Sequence, residues 1–155
     1  LSQRDDLHLL CVGTATNNEI RRVQRLIDER DLKNDVTITG RIDNIANSMS
    51  AADLIIIPSQ DYESFALTAV EAMLNKLPIV ATNIGGIPET VGQDGHCGFL
   101  VDPEEPDKFS EKILYIVDNP EFSKKMGANG LSRALDVFDP KKMACEYHKL
   151  TRAKS

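Results

Sequence analysis

Two glutamates eight positions apart, Glu63 and Glu71, stand in the stretch Ile57-Pro58-Ser59-Gln60-Asp61-Tyr62-Glu63-Ser64-Phe65-Ala66-Leu67-Thr68-Ala69-Val70-Glu71-Ala72-Met73. It follows an all-apolar run, Leu54-Ile55-Ile56-Ile57, which reads as the most buried strand of the chain. The C-terminal end of such a strand is where an open α/β sheet places its ligands. A helix is expected from about Ser64, its face marked by Ala66, Ala69, Val70, Met73 and Leu74. The free amides and dipole at its start suit a phosphate. Glu63 then lies just before the helix and Glu71 about two turns into it, up to about 12 Å along the axis. A carboxylate is a poor phosphate ligand but a good acceptor for sugar hydroxyls. The pair therefore fits a nucleotide sugar, with one glutamate for each sugar flanking the diphosphate. The same spacing also fits a helix-capping Glu63 and a surface salt bridge at Glu71.

The elements that must hold these side chains follow from hydrophobic periodicity. Leu7–Val12, ended by Gly13, reads as a strand. Asn17 or Asn18 then caps a helix from about Glu19 to Arg30, with Ile20, Val23, Leu26 and Ile27 on one face. Val36–Thr39 before Gly40 is a second strand, residues 43–51 a short helix and Leu54–Pro58 a third strand. Pro78–Ala81 and Gly98–Val101 make the fourth and fifth. Gly85-Gly86 form a turn into a short helix with Pro88 near its start. Beyond residue 105 only helices are expected, over about 106–118, 121–137 and 140–151. Strands separated by helices imply a Rossmann-like parallel α/β sheet flanked by helices.

The chain has 155 residues, of which 41% are hydrophobic, one domain's length with enough apolar material for a core. Its net charge of −6 argues against a nucleic-acid binder. Cys11, Cys97 and Cys145 are odd in number and unpaired by motif, and His8, His96 and His148 are scattered. A reduced, cytoplasmic chain without a metal site is the simplest reading. No signal peptide or membrane span is visible, and the opening at Leu1, without methionine, reads as a piece of something longer. Residues 1–121 carry 10 Lys and Arg against 21 Asp and Glu, whereas residues 122–155 carry 8 against 3. The basic stretch, with Lys141, Lys142, Lys149, Arg152 and Lys154, is a solvated helix face matched to its own dipole or a surface for an anionic partner. The second reading takes either an acidic neighbouring domain or a peripheral contact at the inner face of a membrane.

Several motifs in register resemble the retaining, nucleotide-sugar-dependent glycosyltransferases of GT-B architecture. They are the Glu-x7-Glu element in PSQDYESFALTAVEAM, Gly40-Arg41, the GGIPE turn at 85–89 and DG-x-x-GFLV at 94–101. The resemblance covers nearly the whole chain. It implies the C-terminal, donor-binding half of such an enzyme, residues 1–155, truncated at its N-terminus, with the acceptor-binding domain absent. A preceding loop with an Arg and a Lys for the diphosphate would be missing too, so the 155 residues alone are expected to be inactive.

Carried onto this chain, the resemblance places Glu63 at hydroxyls of the donor sugar and the backbone amides of Phe65, Ala66 and Leu67, with Ser64 among the donor-binding residues, at the sugar and distal phosphate. Glu71 is then at the ribose and Arg41 beside the base, where a guanidinium can stack. The amides of Gly85 and Gly86 either face the donor or only make their turn. Where the family usually has glycine this chain has Ala66, whose methyl is expected to restrict the ligand's approach. The implied reaction moves a sugar from a nucleoside diphosphate sugar to an acceptor hydroxyl with retention, and needs neither metal nor resident cofactor. None of the 155 residues is a convincing general base or nucleophile. A dinucleotide oxidoreductase would need GxGxxG after the first strand, which Gly13-Thr14-Ala15-Thr16 does not supply. A nucleotide-sugar epimerase shares the two-domain plan without this Glu-x7-Glu context. A non-catalytic relative that binds a nucleotide or a partner stays the alternative.

Overall fold

Short apolar runs and amphipathic segments alternate as expected, and the computed structural model, described here over residues 4–152, turns them into five strands and seven helices. The chain divides into two compact units, Leu1–Ile45 and Ala46–Ser155. Lys154 lies outside the described residues.

In the first unit, β1 (Leu9–Val12) pairs in parallel with β2 (Val36–Gly40), joined by the crossover helix α1 (Asn17–Glu29). The cap of α1 is Thr16 rather than Asn17 or Asn18. Its hydroxyl accepts from the Glu19 amide while Glu19 Oε2 accepts from the Thr16 amide at 2.8 Å, a capping box. The Thr16 hydroxyl, which donates to Glu19 Oε2 at 2.7 Å, and then the Thr16 amide hold the Glu19 carboxyl below its usual range. Of the expected apolar face, only Ile27 is buried; Ile20, Val23 and Leu26 stay exposed.

In the second unit, β3 (Ile55–Ile57), β4 (Ile79–Thr82) and β5 (Gly98–Val101) form a parallel ladder in the order β3-β4-β5. The most buried strand is β4, buried at every residue, and not β3, in which only Ile57 is fully buried. The helices are α2 (Ile45–Ser50), which begins at the unit boundary, α3 (Leu67–Leu74), α4 (Ile87–Val91), α5 (Pro106–Asp118), α6 (Pro120–Val137) and α7 (Pro140–Arg152). Proline near the first position of α5 and α6 suits a residue without an amide proton.

Val80, Val101, Ile116 and Met126 centre the core between sheet, α5 and α6, with Phe99, Phe109 and Phe122 against them. On the other side α3 lies against α6. A Cβ at Gly127 would come within 1.9 Å of the Lys76 carbonyl oxygen, so the absence of a side chain permits the contact. Leu74, expected on the buried face of α3, is exposed, while Ala72 is buried.

Candidate functional site

The segment after β3 is not helical as early as expected. α3 begins at Leu67, because Ala66 adopts the left-handed conformation at φ 58 and ψ 60 and interrupts helical geometry there. Such a conformation costs an L-residue roughly 1–2 kcal/mol and persists where surrounding contacts over-determine it. Here they do. Glu63 folds over the turn, its Oε1 accepting from the amides of Phe65 at 3.3 Å and Ala66 at 3.1 Å. Ala66 is 3% exposed, so its methyl is covered by protein.

The glycine turn supports this arrangement from below. The Gly86 amide donates to the Glu63 carbonyl at 2.8 Å. A Cβ on Gly85, whose φ is +52, would stand 2.1 Å from the Glu63 carbonyl oxygen, and one on Gly86 would stand 2.1 Å from that of Ser64. Of the two readings of Gly86, its amide therefore serves the turn, where it is already engaged, rather than facing a ligand.

Thr90, buried in α4, places its hydroxyl within hydrogen-bonding reach of the Phe65 and Gly86 carbonyls, its single proton serving one at a time. Sequence reading did not single out Thr90, Arg133, whose Nε donates to the Thr90 carbonyl at 2.9 Å, or Phe138, whose ring meets that of Phe65 edge to face at 5.5 Å. The threonine directly after the GGIPE turn was a usable signal; Arg133, more than forty positions on, gave none.

The two glutamates are thus unlike. Glu63 Oε1 is engaged with the backbone of the turn, so the Phe65 and Ala66 amides are taken within the protein, while Oε2 has no protein partner among the described residues; neither amide belongs to α3, whose N-cap has no side-chain hydrogen bond, so Glu63 does not cap that helix. Glu71, half-buried on α3, has neither an ion pair nor a side-chain hydrogen bond among the described residues, so the salt bridge of the alternative reading is not formed. At the start of α3 the Ala69 amide bonds the Ala66 carbonyl at 2.8 Å, while those of Leu67 and Thr68 have no partner among the described residues. Ser64 is exposed beside them.

The structure thus gathers Glu63, Ser64, Phe65, Ala66, Leu67, Gly85 and Gly86 in the second unit, with Glu71 about one turn into α3 rather than two, because the helix starts at Leu67. Arg41 belongs to the first unit, exposed after β2, with Asp43 at 3.8 Å.

A cavity of about 290 Å³ opens where β3, β4 and β5 end, lined by Pro58, Gln60, Thr82, Asp102, Glu105 and Phe109 among others. It includes none of the residues singled out from sequence, and its carboxylates make it a poor seat for phosphate. Among the described residues no group of three or more His, Cys, Asp or Glu is placed to hold a metal ion, and no helix is long and apolar enough to cross a membrane.

The fold is a parallel α/β one with a carboxylate-bearing turn at a strand's C-terminal end, the place where such sheets hold their ligands, and comparison names the family. The model of the family described as glycosyl transferases group 1 matches residues 1–133. The chain belongs to that family, and its fold is shared with GT-B glycosyltransferases.

Among curated relatives, it is 38% identical over 125 residues to the MMP alpha-(1->4)-mannosyltransferase of Mycolicibacterium hassiacum, covering 79% of this chain and 30% of that protein. Among solved structures, Anabaena HepE in complex with UDP matches with a TM-score of 0.92 at 26% identity, over 98% of this chain and 43% of that one. The same protein has been solved with UDP-glucose. Sucrose-phosphate synthase of Thermosynechococcus elongatus matches with a TM-score of 0.88 at 32% identity, over 98% and 39% of the two chains. The chain thus spans less than half the length of each of these proteins.

Proposed function

We propose that the whole protein transfers a sugar from a nucleoside diphosphate sugar to an acceptor hydroxyl with retention of anomeric configuration, and that residues 1–155 are its C-terminal, donor-binding part. The acceptor is then held by a separate, N-terminal domain. The observation that carries this reading is the Glu63 turn, whose carboxylate is oriented by two backbone amides through one oxygen while the other is left unpaired. Membership of the family and the likeness to a protein solved with UDP and with UDP-glucose support it.

Each residue then has a chemical task. Glu63 Oε2 accepts from donor-sugar hydroxyls, a charge-assisted bond stronger than a neutral one. The Leu67 and Thr68 amides face the distal phosphate, where negative charge grows as the glycosidic bond breaks, and fixed dipoles stabilise it without reorganising. Glu71 accepts from the ribose hydroxyls. The reading includes neither a metal nor a resident cofactor, and no residue of the chain acts as nucleophile.

In the whole protein, Glu71→Ala is expected to weaken nucleoside diphosphate binding about 10- to 100-fold, since a hydrogen bond to a charged group contributes roughly 1.5–3 kcal/mol. Glu63→Gln, which keeps an oxygen for the Phe65 and Ala66 amides, is expected to leave that affinity unchanged while slowing transfer. Titration calorimetry with the nucleoside diphosphate and a transfer assay check both. Equal loss of diphosphate affinity in the two variants contradicts the assignment.

A further inference from the structure

The Glu63 turn is braced from behind by a side chain outside every motif in the chain. On α6, Arg133 donates from Nε to the Thr90 carbonyl at 2.9 Å and from Nη2 to the Glu89 carbonyl at 2.7 Å. These carbonyls lie at the C-terminal end of α4, where a helix cannot use them itself. The guanidinium also lies over the Phe138 ring, 5.8 Å from its centroid. Among the described residues no carboxylate pairs with Arg133. Its charge is spent on backbone and an aromatic face, a use that depends on the planar fork and not on charge alone.

Two routes lead from that guanidinium to one residue of the turn. Through backbone, Arg133 fixes Thr90, whose hydroxyl reaches the Phe65 carbonyl. Through rings, Arg133 covers Phe138, which meets Phe65 edge to face at 5.5 Å. Phe65 is the residue whose amide Glu63 Oε1 holds and which leads into the left-handed Ala66. The turn's conformation is intrinsically unfavourable, so these contacts keep it populated.

We propose that Arg133 is a positioning residue that sets the orientation of the Glu63 carboxylate through Thr90, Phe138 and Phe65. The consequence for sugar binding rests on the reading of Glu63 as donor-sugar acceptor. The bracing itself does not. Releasing either route lets Phe65 and Ala66 leave their conformation and swings the Glu63 oxygen away from the hydroxyls it must meet. A misplacement of about 1 Å can cost 100-fold in rate.

The test uses the whole protein with Arg133→Gln, Arg133→Lys, Phe138→Leu and, as reference, Glu63→Gln. Amide hydrogen exchange is read first, without ligand. Arg133→Gln is expected to speed exchange at Phe65 and Ala66 about tenfold or more while the β4 amides keep their protection, a local opening. Phe138→Leu moves the same amides less, and Arg133→Lys, able to replace one bond but not the fork, falls between Gln and wild type. Loss of protection spread evenly over α3, α4 and β4, or none at Phe65 and Ala66, overturns the proposal.

Affinity is read second, with UDP, GDP and ADP and the glucose and mannose derivatives of each. For the pair the wild type binds, Arg133→Gln is expected to weaken the sugar nucleotide about tenfold and the diphosphate less than twofold, as a geometric loss confined to the sugar would. Equal weakening of both overturns the positioning role. If Glu63→Gln leaves sugar-nucleotide affinity intact, or the wild type binds none of the probes, the donor reading of Glu63 fails. Exchange at Phe65 and Ala66 then still decides whether Arg133 braces the turn.

Discussion

Ala66 shows how a single residue carries both strain and register. At φ 58 it ends the loop and delays α3 to Leu67, later than apolar periodicity indicates. Periodicity reports which side chains are buried, and Ala66 is buried, but it does not report backbone handedness. Glycine takes this conformation without steric cost, so Ala66→Gly relieves about 1–2 kcal/mol of backbone strain against roughly 0.5–1 kcal/mol of added unfolded-state freedom. The expected outcome is a gain of between zero and about 1.5 kcal/mol in stability, read from a denaturant midpoint on the whole protein. Because the methyl is inside the protein, sugar-nucleotide affinity should not change. A rise in affinity would show that the methyl obstructs the donor. Glu63 teaches the same lesson on the chemical side. Its residue type and spacing were legible, but that one carboxylate oxygen caps the turn while the other stays unpaired is a fact of geometry that spacing cannot supply.

Elements were most legible where their ends are chemically marked. The glycine and apolar run of β5 define residues 98–101, as observed, and Pro106, Pro120 and Pro140 each open a helix. Faces were less legible than ends. Ile20, Val23 and Leu26 repeat at helical spacing yet remain exposed, because amphipathicity records a face to be covered without naming what covers it. Nor does local sequence reveal that α6 and α3 approach closely enough for Gly127 to face the Lys76 carbonyl. The approach makes a prediction. Gly127→Ala must displace α6 or the turn after α3, and overpacking of this kind destabilises by about 1–3 kcal/mol even though alanine is the better helix former. A lowered denaturant midpoint with unchanged slope is expected. An unchanged or raised midpoint would mean the helices separate at no cost.

At the scale of the whole molecule the informative quantity is the distribution of charge, acidic over residues 1–121 and basic after them, and α7 concentrates the basic part. α7 has no buried residue. Met143, Tyr147 and Leu150, spaced by four and three positions, form an exposed apolar stripe, and Lys141, Lys142, Lys149 and Arg152 are on the same helix. Two of these cations already have partners, Lys149 with Glu146 at 2.6 Å and Lys142 with Asp136 at 3.6 Å. All four of those side chains are solvent-exposed, so the pairs are weak and yield to a stronger anionic field.

An apolar stripe with basic neighbours suits an interface between water and anionic lipid, where each Lys or Arg adds about 1 kcal/mol. Reading α7 as a peripheral contact on a cytoplasmic membrane face predicts that the whole protein sediments with phosphatidylglycerol-containing vesicles at low ionic strength and is released by salt. Lys141→Glu, Lys142→Glu and Lys149→Glu together should abolish sedimentation without moving the melting temperature, since none of these side chains is buried. Met143→Ser with Leu150→Ser should weaken it and leave the salt dependence in place, separating the apolar contribution from the electrostatic one. If the vesicles capture nothing at low salt, the membrane contact is wrong and the stripe is a surface for protein. If the charge-reversed variant still sediments, the contact lies elsewhere.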